Sequence, residues 1–569
     1  MDHLDKRHFS VIDYTCFVIV LLFSAIIGFY HGAKSKKSPS SKEDYLLGGR
    51  SMSVVPVICS LVATSASGMT IVGLSAEAYA YGIHSWMLCV SILVGNFFFI
   101  QVFIPVLREL KVASSFEYLE MRFNRSVRIF ASGIYTLAVL IQVPVTVYIP
   151  ALVFQNVTGI HVYATVTALS ILCASYTAIG GFRAVVWTDV FQLTLMALSC
   201  CIIATVGVIT VGGIENVWNA AERGGRLNWI NLTNVSSRTT IWTYFNGAII
   251  AIYQFGLNQA NVQRYLSLST MKEVKAASWI VTVLFGAFIC LSQLMGAIMY
   301  TSYETCDPLR RGFITAMDQI LPYFVRDKAS FLTGFNGIFI AGIFAAGLST
   351  TSSFLNALAG SIYEDFLSYR LVSISESTAK NIMRAIVLIL GVIQVPMVFA
   401  IEKMGMLFQI QMQVMSVATC TLFGFFTVGI LCPKINGKGA KAGACAGGIV
   451  IAILIVGGMS NKTEPPLPLR TDGCGSQFNS TELTSANVLN NSQDTESEDV
   501  FWLFKIPFVY YSLIGLVINL LTSYIVSLLT GGNTVEDQSL LAPFLRDKTI
   551  KTNEELELQQ KKLLFIEKS

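Results

Sequence analysis

Apolar runs of about twenty residues or more recur along almost the whole chain, and each is long enough to cross the hydrocarbon core of a bilayer as a helix. They fall at about 11–32, 53–82, 84–107, 127–155, 161–180, 185–211, 240–263, 276–301, 332–363, 383–401, 405–432, 439–459 and 506–530. Inside lipid every backbone N–H and C=O must be satisfied within the segment, so runs of this length predict helices and not strands. The expected fold class is therefore an all-α polytopic membrane protein with about 13 transmembrane helices. Composition agrees, with 53% of residues hydrophobic and only 13% charged. The first run lacks a small-residue cleavage site before its basic flank and is too long for a signal h-region, so it is expected to remain as a span.

Charge between the runs predicts orientation. Lys34, Lys36, Lys37, Lys42 and Arg50 follow the first run, and Arg108, Lys111, Arg122, Arg125 and Arg128 follow the third. Both loops are expected in the cytoplasm, which places the N-terminus outside and the C-terminus inside a plasma-membrane protein. Asn-X-Ser/Thr sequons at Asn156, Asn231, Asn234, Asn461, Asn479 and Asn490 fall in segments this orientation puts outside, with Asn231, Asn234, Asn479 and Asn490 the expected glycosylation sites. Asn124 falls inside and is expected to stay bare. Of twelve cysteines, only Cys306 and Cys474 lie in expected outside loops, where a disulfide between them is favoured; the other ten read as small apolar fillers within spans. The tail after Gly532 reads as a flexible or partly helical cytoplasmic segment. A formal charge of +4 over 569 residues leaves no nucleic-acid footprint. His3, His8, His31, His84 and His161 sit at the N-terminus or at span ends, so no metal site other than one for sodium is expected, and no organic cofactor.

One greasy run carries an anomaly, the stretch GLSTTSSFLN at Gly347–Asn356. On a helix Ala346, Ser349, Thr350 and Ser353 share a stripe that Ser352 and Asn356 border, and five adjacent hydroxyls cannot all face lipid. They either bond back to carbonyls one turn earlier, letting helices approach closely, or they face a polar site. A second segment, SLVATSASGMTIVG at Ser60–Gly73, is equally rich in small and hydroxyl residues, and its Gly68 permits unwinding. A broken helix exposes carbonyls at mid-membrane, and with hydroxyls from a second helix these make a neutral oxygen cage suited to Na+. No Asp, Glu, Lys or Arg lies deep in either segment, which favours sodium over proton coupling.

These segments, with GGFRAVVWTDVFQ (180–192), FGLNQANVQRYLS (255–267), SSFEYLEMRFNRSVR (114–128) and SLLTGG (527–532), resemble the sodium/solute symporter family. Within it the chain is most similar to the sodium-coupled monocarboxylate, multivitamin and iodide transporters, from about residue 10 to 532. The resemblance implies a core of two inverted five-helix repeats, 53–211 and 240–432, each beginning with a broken helix. Residues 1–52 would form the outside N-terminus, first span and basic loop. Residues 439–530 would form two further spans around a glycosylatable outside loop at 460–504, and 531–569 the cytoplasmic tail. It also implies a sodium site of the Ala63, Ala66 and Ala346 carbonyls and the Ser349 and Thr350 hydroxyls, with Asp189 and Gln192 at the ion's exit. The substrate would bind between the broken helices, at Ser67, Thr70, Tyr253 and Gln254. Relatives of this branch carry Arg where Ala80 stands and Gly-Gly-Pro where Thr419, Cys420 and Thr421 stand. Sugar-transporting relatives carry Gln at the position of Thr70 and an aromatic gate at that of Gln254, so a hexose is not the expected substrate.

The expected function is a non-enzymatic symporter importing Na+ with a small organic anion, a monocarboxylate such as lactate, pyruvate or a short-chain fatty acid, by alternating access. The alternatives are a sodium-dependent multivitamin (biotin or pantothenate) or iodide transporter, and, in a different class, a non-transporting membrane sensor or channel of the same fold. A channel would need charged or carbonyl filter rings, and no repeated filter motif is present.

Overall fold

The computed structural model describes residues 9–35, 42–110, 112, 114–227, 240–371, 374–401, 407–459, 466–474, 502–532, 535 and 537–546. All regular structure among them is helical. After α1 (Val11–Ser35) and a short α2 (Lys42–Leu47), the chain forms α3 (Val54–Ser65) and α4 (Leu74–Tyr81), two halves of the run expected at 53–82. Then follow α5 (Leu88–Phe98), α6 (Ile104–Glu109), α7 (Ser115–Arg122), the 34-residue α8 (Arg125–Thr158), the 49-residue α9 (Val162–Thr210) and the peripheral α10 (Ile214–Arg223). The second half begins with another divided run, α11 (Ile241–Ala251) and α12 (Gln259–Leu266), and continues through α13 (Met271–Ser302), α14 (Ile320–Lys328), α15 (Phe335–Ser361), α16 (Glu376–Ile401), α17 (Leu407–Ala418) and α18 (Gly424–Leu431). Helices α19 (Gly437–Met459) and α20 (Tyr511–Leu529) pack side by side at the end.

Among the described residues, ten helices or continuous helical runs are long and apolar enough to span a bilayer. Three of the expected runs are not counted separately, for two physical reasons. The runs at 161–180 and 185–211 are two helices joined end to end within α9 at a sharp break where Gly181 takes φ 59°, ψ −154°. Both fold back onto the same stretch of α1, Tyr176 and Gly180 against Gly28 and Gly32, Trp187 and Phe191 against His31 and Phe23. Only glycine enters the backbone region of Gly181 without strain, and a Cβ there would meet the ring of Tyr45 at 2.6 Å. The runs at 53–82 and 240–263 are broken mid-course, so neither half reaches spanning length.

Helix α15 is the most enclosed, with 94% of its apolar window buried, against 28% for α1. It packs against α9, α8, α1 and α3. Close approach to α8 depends on Gly347, where a Cβ would stand 2.8 Å from both the Pro150 ring and the Thr146 carbonyl oxygen. In lipid, where apolar burial drives no association between helices, such small-residue contacts are what hold them together. Cys173, Cys200 and Cys420 are buried as the sequence implied, whereas Cys201, Cys290 and Cys445 are exposed, Cys290 with its Sγ 3.7 Å from that of Cys89. Part of the tail also departs from expectation. Residues 537–546 dock on the helices: the Tyr118 hydroxyl donates to the Leu540 carbonyl (3.0 Å), the Ala542 N–H to Ile430 (3.1 Å), and Arg546 pairs with Glu109 at 2.7 Å.

Candidate functional site

The first break was expected near Gly68, and the structure has it at Ala66–Ser67. Helix α3 ends at Ala66, whose φ −86° and ψ 87° are not helical, while Gly68 is itself right-handed helical at φ −53°, ψ −31°. A Cβ on Gly68 would find ordinary contact distances, 3.6 Å or more. What the break requires is the turn at Ala66–Ser67, after which the Thr70 N–H bonds to the Ser67 carbonyl at 2.9 Å and the chain rewinds through a wide turn at Met69–Gly73. Wide turns of this kind often mark functional positions, because they free backbone groups from the regular ladder.

Against this break lies the hydroxyl run of α15. The Ser349 hydroxyl is 2.9 Å from the Ala63 carbonyl oxygen and 3.1 Å from that of Ala346. The Thr350 hydroxyl is 3.2 Å from the Thr64 carbonyl and 3.0 Å from Ala346. These residues are all buried, with Ser349 at 1% and Thr350 at 2% exposure. The back-bonding reading and the polar-site reading thus hold together, since each hydroxyl reaches one carbonyl in its own helix and one across the gap. Ala66 is buried at the break, and among the described residues no hydrogen bond joins its carbonyl to Ser349 or Thr350. The Thr64 carbonyl is an oxygen that the sequence did not single out.

Behind the oxygen cluster runs a second layer that the sequence also missed. The Thr64 hydroxyl bonds the Ser353 hydroxyl at 2.9 Å, and Arg264 donates to Ser353 and, at 2.7 Å, to Ser60. Ser60 in turn donates to Asp189 at 2.5 Å, and Arg264 pairs with Asp189 at 3.3 Å. Asp189 is fully enclosed: its side chain is 0% exposed and that of Arg264 1%. Although neither apolar segment contains a charge, both touch one. The signal was present in NQANVQRY, where a lone Arg inside a buried amphipathic turn needs a buried carboxylate. Gln192 does not join this group; its amide donates to Ser24 of α1 at 2.9 Å.

The second divided helix supplies Tyr253 and Gln254 from a wide turn at Ile252–Leu257. The break falls at Asn258, with ψ 130°, whose N–H bonds the Tyr253 carbonyl at 2.7 Å. The Asn261 amide covers the Gln254 carbonyl at 2.6 Å, and the Asn258 amide approaches the Gln254 side-chain oxygen at 3.4 Å. This turn packs on α3. Ser67 is buried at 4% exposure, Thr70 at 9% and Tyr253 at 2%, while Gln254 is half-buried. Among the described residues no hydrogen bond links Ser67 or Thr70 to Tyr253 or Gln254, so these four stand as two walls and not as a joined cluster. The residues at Thr419–Cys420–Thr421 form another wide turn, whose free Cys420 carbonyl is covered by the buried Asn519 amide at 2.8 Å. An Asn inside the last apolar run was the available signal for that contact.

At the opposite end of α4, Cys306 and Cys474 are joined in a disulfide with Cα atoms 5.0 Å apart. Of the sequons, Asn156 is exposed near the end of α8, and Asn124 caps the start of α8 by accepting from the Val127 N–H at 3.1 Å. Asn231, Asn234, Asn461, Asn479 and Asn490 lie outside the described residues.

Transporters generally build their binding sites from broken helices of this kind. The structure is similar to that of a Na+-coupled sialic acid symporter in a substrate-bound outward-open state, with a TM-score of 0.73 at 21% identity over 93% of this chain and all of that one. In sequence it is similar to human sodium-coupled monocarboxylate transporter 1, 34% identical over 92% of this chain and 88% of the relative. Similarity extends to zebrafish (Danio rerio) sodium-coupled monocarboxylate transporter 2, at 34% over 94% and 86%, and to the human sodium/iodide cotransporter, at 33% over 95% and 86%. The sodium:solute symporter family model matches residues 45–447, a stretch that contains both broken helices and the hydroxyl run, and the chain belongs to that family.

Proposed function

We propose that this protein imports a small monocarboxylate together with Na+ across the plasma membrane by alternating access, with its N-terminus outside and its C-terminus in the cytoplasm. The observation that carries the sodium half is the buried oxygen cluster between Ser349, Thr350 and the Ala63, Thr64 and Ala346 carbonyls. Na+ is a hard cation that prefers oxygen ligands, and this donor set fits it: neutral oxygens, two hydroxyls and no competing amine. In the proposed site Ala63, Ala66, Ala346, Ser349 and Thr350 hold the ion. Asp189 lies one hydrogen-bonded layer deeper, where its charge draws a departing cation while Arg264 keeps it balanced between cycles.

For the substrate half, the Met69–Gly73 turn starts the second half of a broken helix, whose N-terminal end carries a partial positive charge and free N–H groups. One carboxylate matches that end. Thr70 and Gln254 offer a short hydroxyl and an amide, enough to orient a small anion but too few to satisfy a ring of sugar hydroxyls. The names of the relatives point the same way. The proposed domain plan places one five-helix repeat at 53–211 and its inverted partner at 240–432, with the two walls of the substrate path at their corresponding first helices.

The test is an uptake and current panel in cells expressing the full chain, with and without Na+. Sodium-dependent inward current with lactate, pyruvate or butyrate is expected. Current with iodide, biotin or pantothenate alone would keep the sodium site and replace the substrate; robust glucose current with none from any of these would overturn the anion reading. An enzymatic deglycosylation shift that disappears on replacing Asn231, Asn234, Asn479 and Asn490 would test the outside placement of their loops.

A further inference from the structure

The outer half-helix α4 ends in a set of contacts that the symport reading does not use. Segment 466–474, which lies in sequence between the last two long helices, crosses to the far end of α4 and binds it. The Leu467 N–H donates to the Ala80 carbonyl at 2.9 Å. Beside it the buried Arg226 donates to the Tyr79 carbonyl at 3.1 Å and to the Pro468 carbonyl at 3.4 Å, with its guanidinium 3.4 Å from the ring centre of Tyr300. The Arg226 carbonyl accepts the Ile83 N–H at 3.0 Å, and Gly82, at φ 98°, lets the backbones meet, since a Cβ there would stand 2.8 Å from that carbonyl oxygen.

The same segment is tied from its other side. The Asp307 N–H donates to the Arg470 carbonyl and the Gly473 N–H to the Thr305 carbonyl, both at 2.9 Å, and the Cys306–Cys474 bridge lies between these two bonds. Asp307 accepts the Tyr79 hydroxyl and, at 2.7 Å, the Arg310 N–H. Three separate parts of the chain, at 226, 305–307 and 467–474, thus converge on Tyr79 and Ala80. Along its length α4 packs closely on α13, where a Cβ on Gly296 would stand 2.6 Å from the Ser75 carbonyl oxygen and the Gln293 amide donates to the Leu74 carbonyl at 3.2 Å; these three grips fix its Tyr79 end.

We propose that residues 466–474 are a strap, locked by the Cys306–Cys474 bridge, that holds the Tyr79 end of α4 closed over the substrate path, and that Arg226 is the positioning residue coupling strap to helix. The proposal rests on the reading that this path runs past Ser67 and Thr70. A strap fastened by a covalent bond favours the closed arrangement in every cycle; unfastening it shifts the population toward the open one.

The test reads accessibility and needs no substrate. Thr70→Cys is introduced into the full-length protein in sealed membranes, a membrane-impermeant methanethiosulfonate is applied to each face in turn, and modification of the peptide carrying residue 70 is followed by mass spectrometry. Thr70 is 9% exposed, so labelling there reports opening. The rate is compared with the bridge intact, in Cys306→Ser/Cys474→Ser, in Leu467→Pro, which deletes one strap N–H and leaves the bridge, and in Arg226→Gln against Arg226→Lys. Labelling from the strap's face is expected to be about threefold faster or more in the serine pair or in Leu467→Pro, and slower in Arg226→Lys than in Arg226→Gln. Equal rates across all variants, including no labelling in any, overturn the strap. Faster labelling only from the opposite face also overturns it. A wrong substrate or sodium assignment alters none of these rates and is detected separately by the uptake panel.

Discussion

Arg264 and Asp189 stand 3.3 Å apart with side chains 1% and 0% exposed, joined through Ser60 and Ser353 to the Thr64 hydroxyl at the broken helix. A buried pair of this kind adds little net stability, yet removing one member strands a charge and costs about 3–5 kcal/mol. Arg264→Ala or Asp189→Ala alone should therefore lower the thermal midpoint of the detergent-solubilised protein strongly. The double variant should recover part of that loss. Two single losses that simply add in the double variant would show that the pair is not coupled.

Ser349→Ala and Thr350→Ala each remove one oxygen from a site into which water cannot readily follow. The sodium concentration for half-maximal activation should rise about tenfold or more, about 1.4 kcal/mol. Sodium titration of substrate-evoked current checks this. Ser352→Ala provides the control, because the Ser352 hydroxyl bonds back to the Ser349 carbonyl at 3.1 Å and meets the Tyr176 hydroxyl, on the side away from the broken helix's carbonyls. Unchanged sodium dependence in both of the first two variants would remove the assignment.

Gly181→Ala should destabilise the protein by about 1–3 kcal/mol or more, since φ 59° strains any residue with a side chain. The new methyl would also press on the Tyr45 ring. Tyr45→Ala combined with Gly181→Ala should relieve the clash and leave the backbone strain, so the thermal midpoint should recover only in part.

Half-buried Asp318, in the turn before α14, has its carboxyl pushed up to about 6 from an ordinary 3.8, chiefly by burial and then by the charge of Glu77. A raised acid opposes folding when ionised. Its penalty is fully present above about pH 6, fades as pH falls toward 3.8 and is absent below that. Thermal midpoints should thus rise modestly between pH 7 and 5 in the wild-type chain, and Asp318→Asn should flatten that part of the profile. An unaltered slope in the variant would assign the pH dependence to other groups.

Much of this protein was legible in the residues alone, and the reason is the bilayer. A solvent that satisfies no backbone group leaves one class of answer for long apolar runs, so the all-helical spanning fold followed from hydropathy. The five-hydroxyl run on α15 and the motifs WTDVFQ and NQANVQRY were equally local signals, and they identified the family and the two segments that meet. What tertiary structure alone decided is how polar groups distant in sequence satisfy one another. Ser349 finds Ala63 across 286 positions, Arg264 finds Asp189 across 75, and segment 466–474 grips Tyr79 and Ala80 far up the chain. The break near Gly68 falls at Ala66–Ser67 for the same reason: a glycine permits unwinding nearby, but the helix opens where α15 offers partners for the freed carbonyls. Gln192 shows the converse, a residue placed by motif at the ion's exit whose amide is taken by Ser24 on a helix outside the proposed repeats. Sequence sets which groups cannot face lipid; packing in three dimensions sets which of them meet.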